Sequence, residues 1–207
     1  MMIEVLFATT NPAKIQKYKD RLESKNNNIK VLTLKDLSRT IDVDENGKDC
    51  MENAYIKAKA YNDFTGYITI GMDNSLFIEE LPEEKQPGTH VRRVGGKTLT
   101  DDEMIDYYSN LAKEYGGKLT AKWVYGMVVI KGNEKEEYTW TKDHFYFVDK
   151  VNDIRNPGYP LDSMSIMPSV NKYFVELTKE EKDSLNRNNN EEDVIEFLEK
   201  SILKLTK

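Results

Sequence analysis

The feature that most constrains this chain is the passage from Ile3 to Leu22, where a brief apolar run meets Thr9-Thr10-Asn11-Pro12-Ala13-Lys14 and then a helical pattern. Ile3, Val5, Leu6, Phe7 and Ala8 form a run of strand type, and Ile15, Tyr18 and Leu22 recur at i, i+3 and i+7, the spacing of one helix face. Asn11 is the expected N-cap. Pro12 falls at the first helical position, where its fixed φ suits the helix and its missing N–H leaves no bond unmade. The first turns carry Lys14 and Lys17 with no acid until Asp20, although a helix N-terminus favours negative charge by about 0.3–1 kcal/mol. A bound phosphate removes this conflict, because the backbone N–H groups and the helix dipole already suit an anion and Lys14 adds a point charge. A solvated basic helix face accounts for the same residues, and this segment alone leaves both readings open.

A chain of 207 residues with 39% apolar and 32% charged content suits one α/β domain over residues 1–207, with a smaller lobe over residues 119–150. The net charge of −6 offers no general attraction to nucleic acid or to an anionic membrane, so neither is an expected partner. A phosphate ligand is then small and is held by local lysines and arginines or through a metal. Cys50 is the single cysteine, which excludes an internal disulfide, and with His90 and His144 the only histidines a closed Cys/His zinc site is not expected. A hard, oxygen-bound metal stays open. Glu4 without a basic leader region, and a longest apolar run near Val124 to Ile130, point to a cytoplasmic protein with no membrane span.

After the first strand and helix, Ile29 to Leu34 reads as a second strand and Asp49 to Asp63 as a helix with Met51, Tyr55, Ala58 and Tyr61 on its inner face. Tyr67 to Met72 alternates as a strand that Asp73 is expected to end, with Leu76 to Leu81 extended after a turn at Asp73-Asn74-Ser75. Pro82 to Lys97 reads as a mobile charged connector. Asp101 to Tyr115 is a helix with a capping box at Thr100 and Glu103. Lys122 to Ile130 and Glu137 to Val148 read as the strands of a hairpin turning at Gly132-Asn133, and an amphipathic helix with Val194, Phe197, Leu198, Ile202 and Leu205 inward closes the chain. Early alternation of strand and helix followed by a hairpin predicts a mixed sheet.

Glu52 in the first turn of its helix and Asp73 at the expected strand end bring two carboxylates to one sheet edge, where they can hold Mg²⁺. Each also has an ordinary explanation: Asp49-x-x-Glu52 has the form of a capping box, and Asp73-Asn74-Ser75 that of an Asx turn. Cys50, with no histidine arranged beside it in sequence, reads as a buried small hydrophobe. Lys182, in Thr178-Lys179-Glu180-Glu181-Lys182, reads as a solvated lysine paired along a helix, and Trp123 and Trp140 read as hairpin core.

The succession of Thr9-Thr10-Asn11-Pro12-Ala13-Lys14, Glu52-Asn53-Ala54, Met72-Asp73-Asn74, Pro87-Gly88, Gly158-Tyr159-Pro160-Leu161-Asp162 and Glu176-Leu177-Thr178 with Glu180-Glu181-Lys182 resembles the inosine-triphosphate pyrophosphatase family over nearly the whole chain. The resemblance implies an elongated α/β fold with a central mixed, twisted sheet, flanking helices and a smaller hairpin lobe. It implies a homodimer and Mg²⁺-dependent hydrolysis of deaminated purine nucleoside triphosphates (ITP, dITP, XTP) to monophosphate and pyrophosphate, which clears them from the nucleotide pool. Carried over by position, Thr9, Thr10, Asn11 and Lys14 form a phosphate loop, with Lys14 also catalytic. Glu52 and Asp73 are metal ligands, Asp73 is the general base, and Asn74 stands beside it at the substrate. Arg93, Tyr159, Asp162, Lys182 and Arg187 are further substrate contacts, Tyr159 against the base.

The chain departs from that pattern at Met72, where bacterial members carry the first of two paired acids, which predicts weaker metal binding. It departs again at Gly158 to Ser163, where the family has Gly-aromatic-Gly-aromatic-Asp-Pro. Asn186-Arg187-Asn188 replaces a Ser-His-Arg base-reading tripeptide, and Asp153-Ile154-Arg155 stands where Pro-Arg-Gly is usual. Two rivals stay open: a pyrophosphatase of the same fold for another nucleotide, such as a modified pyrimidine, and a nucleotide-binding sensor without turnover. Retention of Lys14, Glu52 and Asp73 argues against the second.

Overall fold

The computed structural model describes residues 2–187 and 191–206, without the side chains at 12, 13, 17, 183, 186 and 187. In chain order its elements are β1 (Ile3–Phe7), α1 (Pro12–Lys25), β2 (Ile29–Thr33), α2 (Cys50–Thr65), β3 (Ile68–Ile78), β4 (Arg93–Val94), β5 (Lys97–Thr98), α3 (Asp101–Glu114), β6 (Lys118–Lys131), β7 (Glu134–Thr141), β8 (Phe145–Val148), β9 (Ser165–Met167), β10 (Lys172–Tyr173), α4 (Lys179–Arg187) and α5 (Glu191–Leu205). The main sheet runs β10-β9-β8-β6-β3-β1-β2, with β7 also paired to β6. Strand β1 is parallel to both β2 and β3, whereas β8 is antiparallel to β6 and β9, and β9 to β10. The sheet is mixed, as the order of elements predicts.

The chain divides into two compact units, the first comprising Met1–Asn74, Tyr125–Trp140 and Asn190–Lys207. Its core joins Val5 and Phe7 of β1, Tyr18 and Leu22 of α1, Ile68, Ile70 and Met72 of β3, Met127 and Val129 of β6, and Val194, Leu198 and Ile202 of α5. These are the apolar faces that the helical and strand periods select. Helix α2 is capped by Asp49, whose carboxylate accepts from the Met51 and Glu52 N–H groups at 2.8 and 2.9 Å, and it stops at Gly66 in the left-handed conformation. Its backbone comes down on two glycines. A Cβ at Gly71 of β3 would lie 2.0 Å from the Ala54 carbonyl oxygen, and one at Gly126 of β6 would lie 2.8 Å from the Met51 Cα. The buried face of α2 differs from the expected one. Asn53, Ala54, Lys57, Ala58, Tyr61 and Asn62 are inside, while Met51 and Tyr55 are only partly buried and flank Val128 and Ile130.

Strand β3 also corrects an expectation. Asp73-Asn74-Ser75 makes no turn: the strand is continuous from Ile68 to Ile78. Local turn preference yields to burial of Met72, Leu76 and Ile78 along one extended segment.

The second unit, Ser75–Val124 and Thr141–Asn189, packs Leu76 and Ile78, Met104, Tyr108 and Ala112 of α3, Leu119 and Ala121 of β6, and Phe145 and Phe147 of β8. The capping box of α3 forms as expected, with Glu103 N–H donating to Thr100 Oγ1 and Thr100 N–H to Glu103 Oε2. The second hairpin strand, expected as one run over 137–148, is instead two, β7 and β8, separated at the polar Lys142-Asp143-His144. The connector after Pro82 is held down rather than left loose: the Gln86 side chain accepts from Ile78 N–H and donates to the carbonyls of Ile78 and Leu81.

Candidate active site

In the first unit β1 pairs with β3 as far as Phe7 and Ile70, and Ala8 N–H adds one more bond, to the Ile70 carbonyl at 2.8 Å. There β1 ends, and the chain turns into α1. Thr9 is buried, its Oγ1 accepting from Asn11 N–H at 3.2 Å, and Asn11 Oδ1 accepts from Lys14 N–H at 3.3 Å. Asn11 therefore caps α1 as expected. The first turn of α1 holds no acid, and Thr10 and Asn11 are exposed at its mouth.

Strand β3 outruns β1, so Asp73 stands past the last β1–β3 pair. Strand alternation puts it on the face of Thr69 and Gly71, toward α2. Its Oδ2 accepts from Asn53 Nδ2 at 3.0 Å, and its Oδ1 lies 3.7 Å from Lys14 Nζ and 3.8 Å from Lys57 Nζ. Lys57 Nζ is also 2.7 Å from Glu45 Oε2. The side chains of Lys14, Lys57 and Asp73 are 18%, 11% and 14% exposed, so these charges meet with little solvent between them. Burial pushes Lys14 below the ordinary lysine value, and Lys57 adds to this, while Asp73 and Glu45 pull the other way. Two ammonium groups beside the open end of a helix suit a polyphosphate.

Sequence reasoning missed Lys57, Asn53 and Glu45 as members of this cluster. The available signal was the pair Asn53 and Lys57 at i and i+4, polar residues on a helix face otherwise made of Ala54, Ala58 and Tyr61. Met72 needs correction as well. It is buried in the apolar cluster with Ile70 and Met127, on the strand face opposite Asp73, so it does not thin the acids beside that carboxylate.

Glu52 stands at the start of α2 with its side chain half exposed. Its Oε2 accepts from Lys48 N–H at 2.8 Å and its Oε1 lies 3.8 Å from Lys48 Nζ. The capping-box reading of Asp49-x-x-Glu52 is thus shifted by one residue, because Glu52 reaches past the cap to the N–H before it. Among the described residues no three His, Cys, Asp or Glu side chains gather into a group that could hold a metal ion. A permanent protein-only metal cage does not fit this donor set. Mg²⁺ keeps several waters and takes one or two carboxylates together with substrate phosphates, a donor set that Glu52 and Asp73 match in kind.

The second unit carries the remaining candidates. Asp162 Oδ2 accepts from Asn156 Nδ2 at 2.9 Å; burial pushes its carboxyl above the ordinary aspartate value, and Asn156 and Lys182 oppose that shift. Lys182 is exposed on α4, and Tyr159 is exposed in a loop closed by its own N–H to the Asn156 carbonyl at 2.9 Å. The loop is anchored by Gly158 N–H donating to Asp101 Oδ2 at 3.1 Å, with Asp101 Oδ1 2.8 Å from an Arg92 guanidinium nitrogen. Arg93 is exposed on β4, and its neighbour Arg92 makes these contacts instead. The side chains of Asn186 and Arg187, and all of Asn188, lie outside the described residues.

Comparison with known proteins agrees with the resemblance read from the motifs. The Ham1 family model matches residues 5–190. The dITP/XTP pyrophosphatase of Thermoanaerobacter pseudethanolicus is 26% identical over 183 residues, covering 88% of this chain and 89% of that protein. The Bacillus subtilis protein of the same name is 26% identical over 189 residues, covering 89% and 91%. Among solved structures, the Staphylococcus aureus Ham1 protein superposes with a TM-score of 0.73 at 24% identity, covering 95% of this chain and 98% of that one. A HAM1 protein from Coxiella burnetii gives a TM-score of 0.77 at 22% identity, covering 97% and 100%. The structural likenesses bear on the fold, the sequence relatives span both chains nearly end to end, and the model takes in every motif from the phosphate loop to α4: the chain belongs to the Ham1 family.

Proposed function

We propose that this protein is a nucleoside-triphosphate pyrophosphatase that hydrolyses deaminated purine nucleotides (ITP, dITP, XTP) to monophosphate and pyrophosphate. Relatives named dITP/XTP pyrophosphatase cover most of the chain, which supports the substrate class. The observation that carries the reading is the Asp73 carboxylate beside Lys14 and Lys57 at the head of α1. In this reading the phosphates lie against the α1 N-terminus at Thr9, Thr10 and Asn11, with Lys14 and Lys57 on their oxygens. Asp73 takes a proton from the water that attacks the α-phosphorus, the α–β bridging bond breaks, and pyrophosphate leaves. Asn74, next to Asp73 in the chain, and Arg93, Tyr159, Asp162, Lys182 and Arg187 are read as further substrate contacts from their places in the motif order. Glu52 and Asp73 are the residues that would hold Mg²⁺, which would supply charge neutralisation and a water of lowered pKa. The protein is read as a cytoplasmic homodimer. Its net charge of −6 favours a small anionic ligand held locally over nucleic acid or a membrane surface.

The test is turnover of ITP, dITP, XTP, GTP, ATP, UTP and CTP with Mg²⁺, with chromatography of the products. Monophosphate and pyrophosphate from the deaminated purines are expected. Diphosphate and orthophosphate would overturn attack at the α-phosphorus, preference for a pyrimidine would move the substrate class, and tight binding without pyrophosphate release would make the protein a sensor.

A further inference from the structure

We propose that Asn53 is a positioning residue for this reaction, holding Oδ2 of the Asp73 carboxylate so that Oδ1 faces Lys14 and Lys57; the inference rests on the reading of Asp73 as general base. Asn53 is 2% exposed, and its amide is used at both ends. Oδ1 accepts from Gly47 N–H at 2.8 Å, and Nδ2 donates to Asp73 Oδ2 at 3.0 Å. The amide orientation is forced by its partners, because a backbone N–H can only donate and a carboxylate can only accept. Both partners are themselves fixed. Gly47 belongs to the segment that Glu52 and Asp49 fasten to the start of α2, and Asp73 lies on a strand against which α2 is seated through Gly71. An unsupported carboxylate between two lysines is free to offer either oxygen to either cation. The neutral donor on Oδ2 removes that freedom and, unlike a third cation, orients the base while adding no positive charge beside it.

The test compares Asn53→Asp, Asn53→Ala and Asp73→Asn with wild type by kcat, KM for dITP at saturating Mg²⁺, and thermal midpoint. Asn53→Asp keeps the shape and the acceptor for Gly47 N–H but replaces the donor to Asp73 by a second negative charge, whereas Asn53→Ala loses both hydrogen bonds without adding charge. Both are expected to lower kcat about ten- to a hundredfold, the loss that follows a displacement of about 1 Å at a reacting group, with KM changed far less. The exchange variant Asn53→Asp/Asp73→Asn restores the hydrogen bond with its ends reversed. It is expected to recover the melting temperature lost in Asn53→Asp while staying inactive. Wild-type kcat in either Asn53 variant, or a loss confined to KM or to melting temperature, overturns the inference. Asp73→Asn at near wild-type kcat overturns the reading of Asp73 itself. An inactive Asp73→Asn beside fully active Asn53 variants overturns only the role of Asn53.

Discussion

The Asp73 carboxylate stands between Lys14 and Lys57, and its replacement separates charge from shape. Asp73→Asn keeps the shape, and because general-base catalysis contributes roughly 10²–10⁴-fold, kcat is expected to fall at least about a hundredfold with the fold retained. Retained activity would return Asp73 to a structural role. Lys14 sets a pH dependence: burial holds its ammonium below the ordinary value of about 10.4, so the charged form is lost early as pH rises. KM for nucleotide is therefore expected to climb on the alkaline side, and Lys14→Arg, charged throughout, to hold it flat there. Asp162 runs the other way. Its folded-state value is raised by burial, so its contribution to stability is full below its unfolded value of about 3.9 and is lost as pH rises through the folded one. Asp162→Asn should melt higher than wild type at neutral pH, the gain vanishing in acid, and a lower melting point at neutral pH would show that the Asn156 hydrogen bond and Lys182 together outweigh desolvation. Lys14 at a capped helix start and Asp73 by a strand could each be placed from the chain, but their contact could not, since the sequence paired Asp73 with Glu52. Lys57 could not be placed. A single lysine on a helix reads as solvated until the packing that buries it is known, and that packing depends on Gly71 and Gly126, distant in sequence.

At the scale of elements the instructive case is β3. Asp73-Asn74-Ser75 is composed of turn formers, and read alone it stops the strand. Sheet pairing and the burial of Met72, Leu76 and Ile78 carry the strand through, and its continuation past the end of β1 sets Asp73 beside the start of α1. The break between β7 and β8 was hidden for a similar reason, since aromatic and β-branched residues on both sides of Lys142-Asp143-His144 mask a short polar interruption. By contrast α1 and α3 were legible, because cap and apolar period agree in each, and α5 was legible from its apolar period. The junction of α2 with the sheet gives a prediction of its own. Gly71→Ala would drive a Cβ against the Ala54 carbonyl, a backbone atom that cannot rotate away, so the cost should reach or exceed the roughly 1–3 kcal/mol of an overpacked core. Because α2 carries Asn53 and Lys57, kcat should fall in the same variant. Asp49→Ala, which only removes the cap of α2, should cost about 1 kcal/mol. Urea titration ranks the two, and a Gly71→Ala protein as stable as wild type would mean that α2 can lift from β3.

For the whole molecule, a net charge of −6 means that an anionic nucleotide is drawn in only by local groups, and selectivity among nucleotides has to come from contacts with the base. Arg187 ends α4, in the tripeptide to which the resemblance gives the reading of the base. A guanidinium can donate a bidentate pair to the O6 and N7 acceptors of hypoxanthine, xanthine or guanine, a geometry worth about 1–3 kcal/mol against the wrong base. Adenine opposes it with an N6 donor. If Arg187 reads the base as proposed, it would reject ATP but not by itself GTP, for which a neighbour such as Asn186 or Asn188 would have to penalise the 2-amino group. Phosphate-side and base-side roles then separate in one measurement, kcat/KM for ITP, GTP and ATP. Asp73→Asn should lower all three alike, because every triphosphate presents the same α-phosphorus. Arg187→Ala should leave ATP almost untouched and lower ITP, so that the ratio of ITP to ATP falls by about tenfold or more, the equivalent of about 1.4 kcal/mol. An unchanged ratio would remove Arg187 as the base reader and strengthen the reading of a pyrophosphatase for another nucleotide.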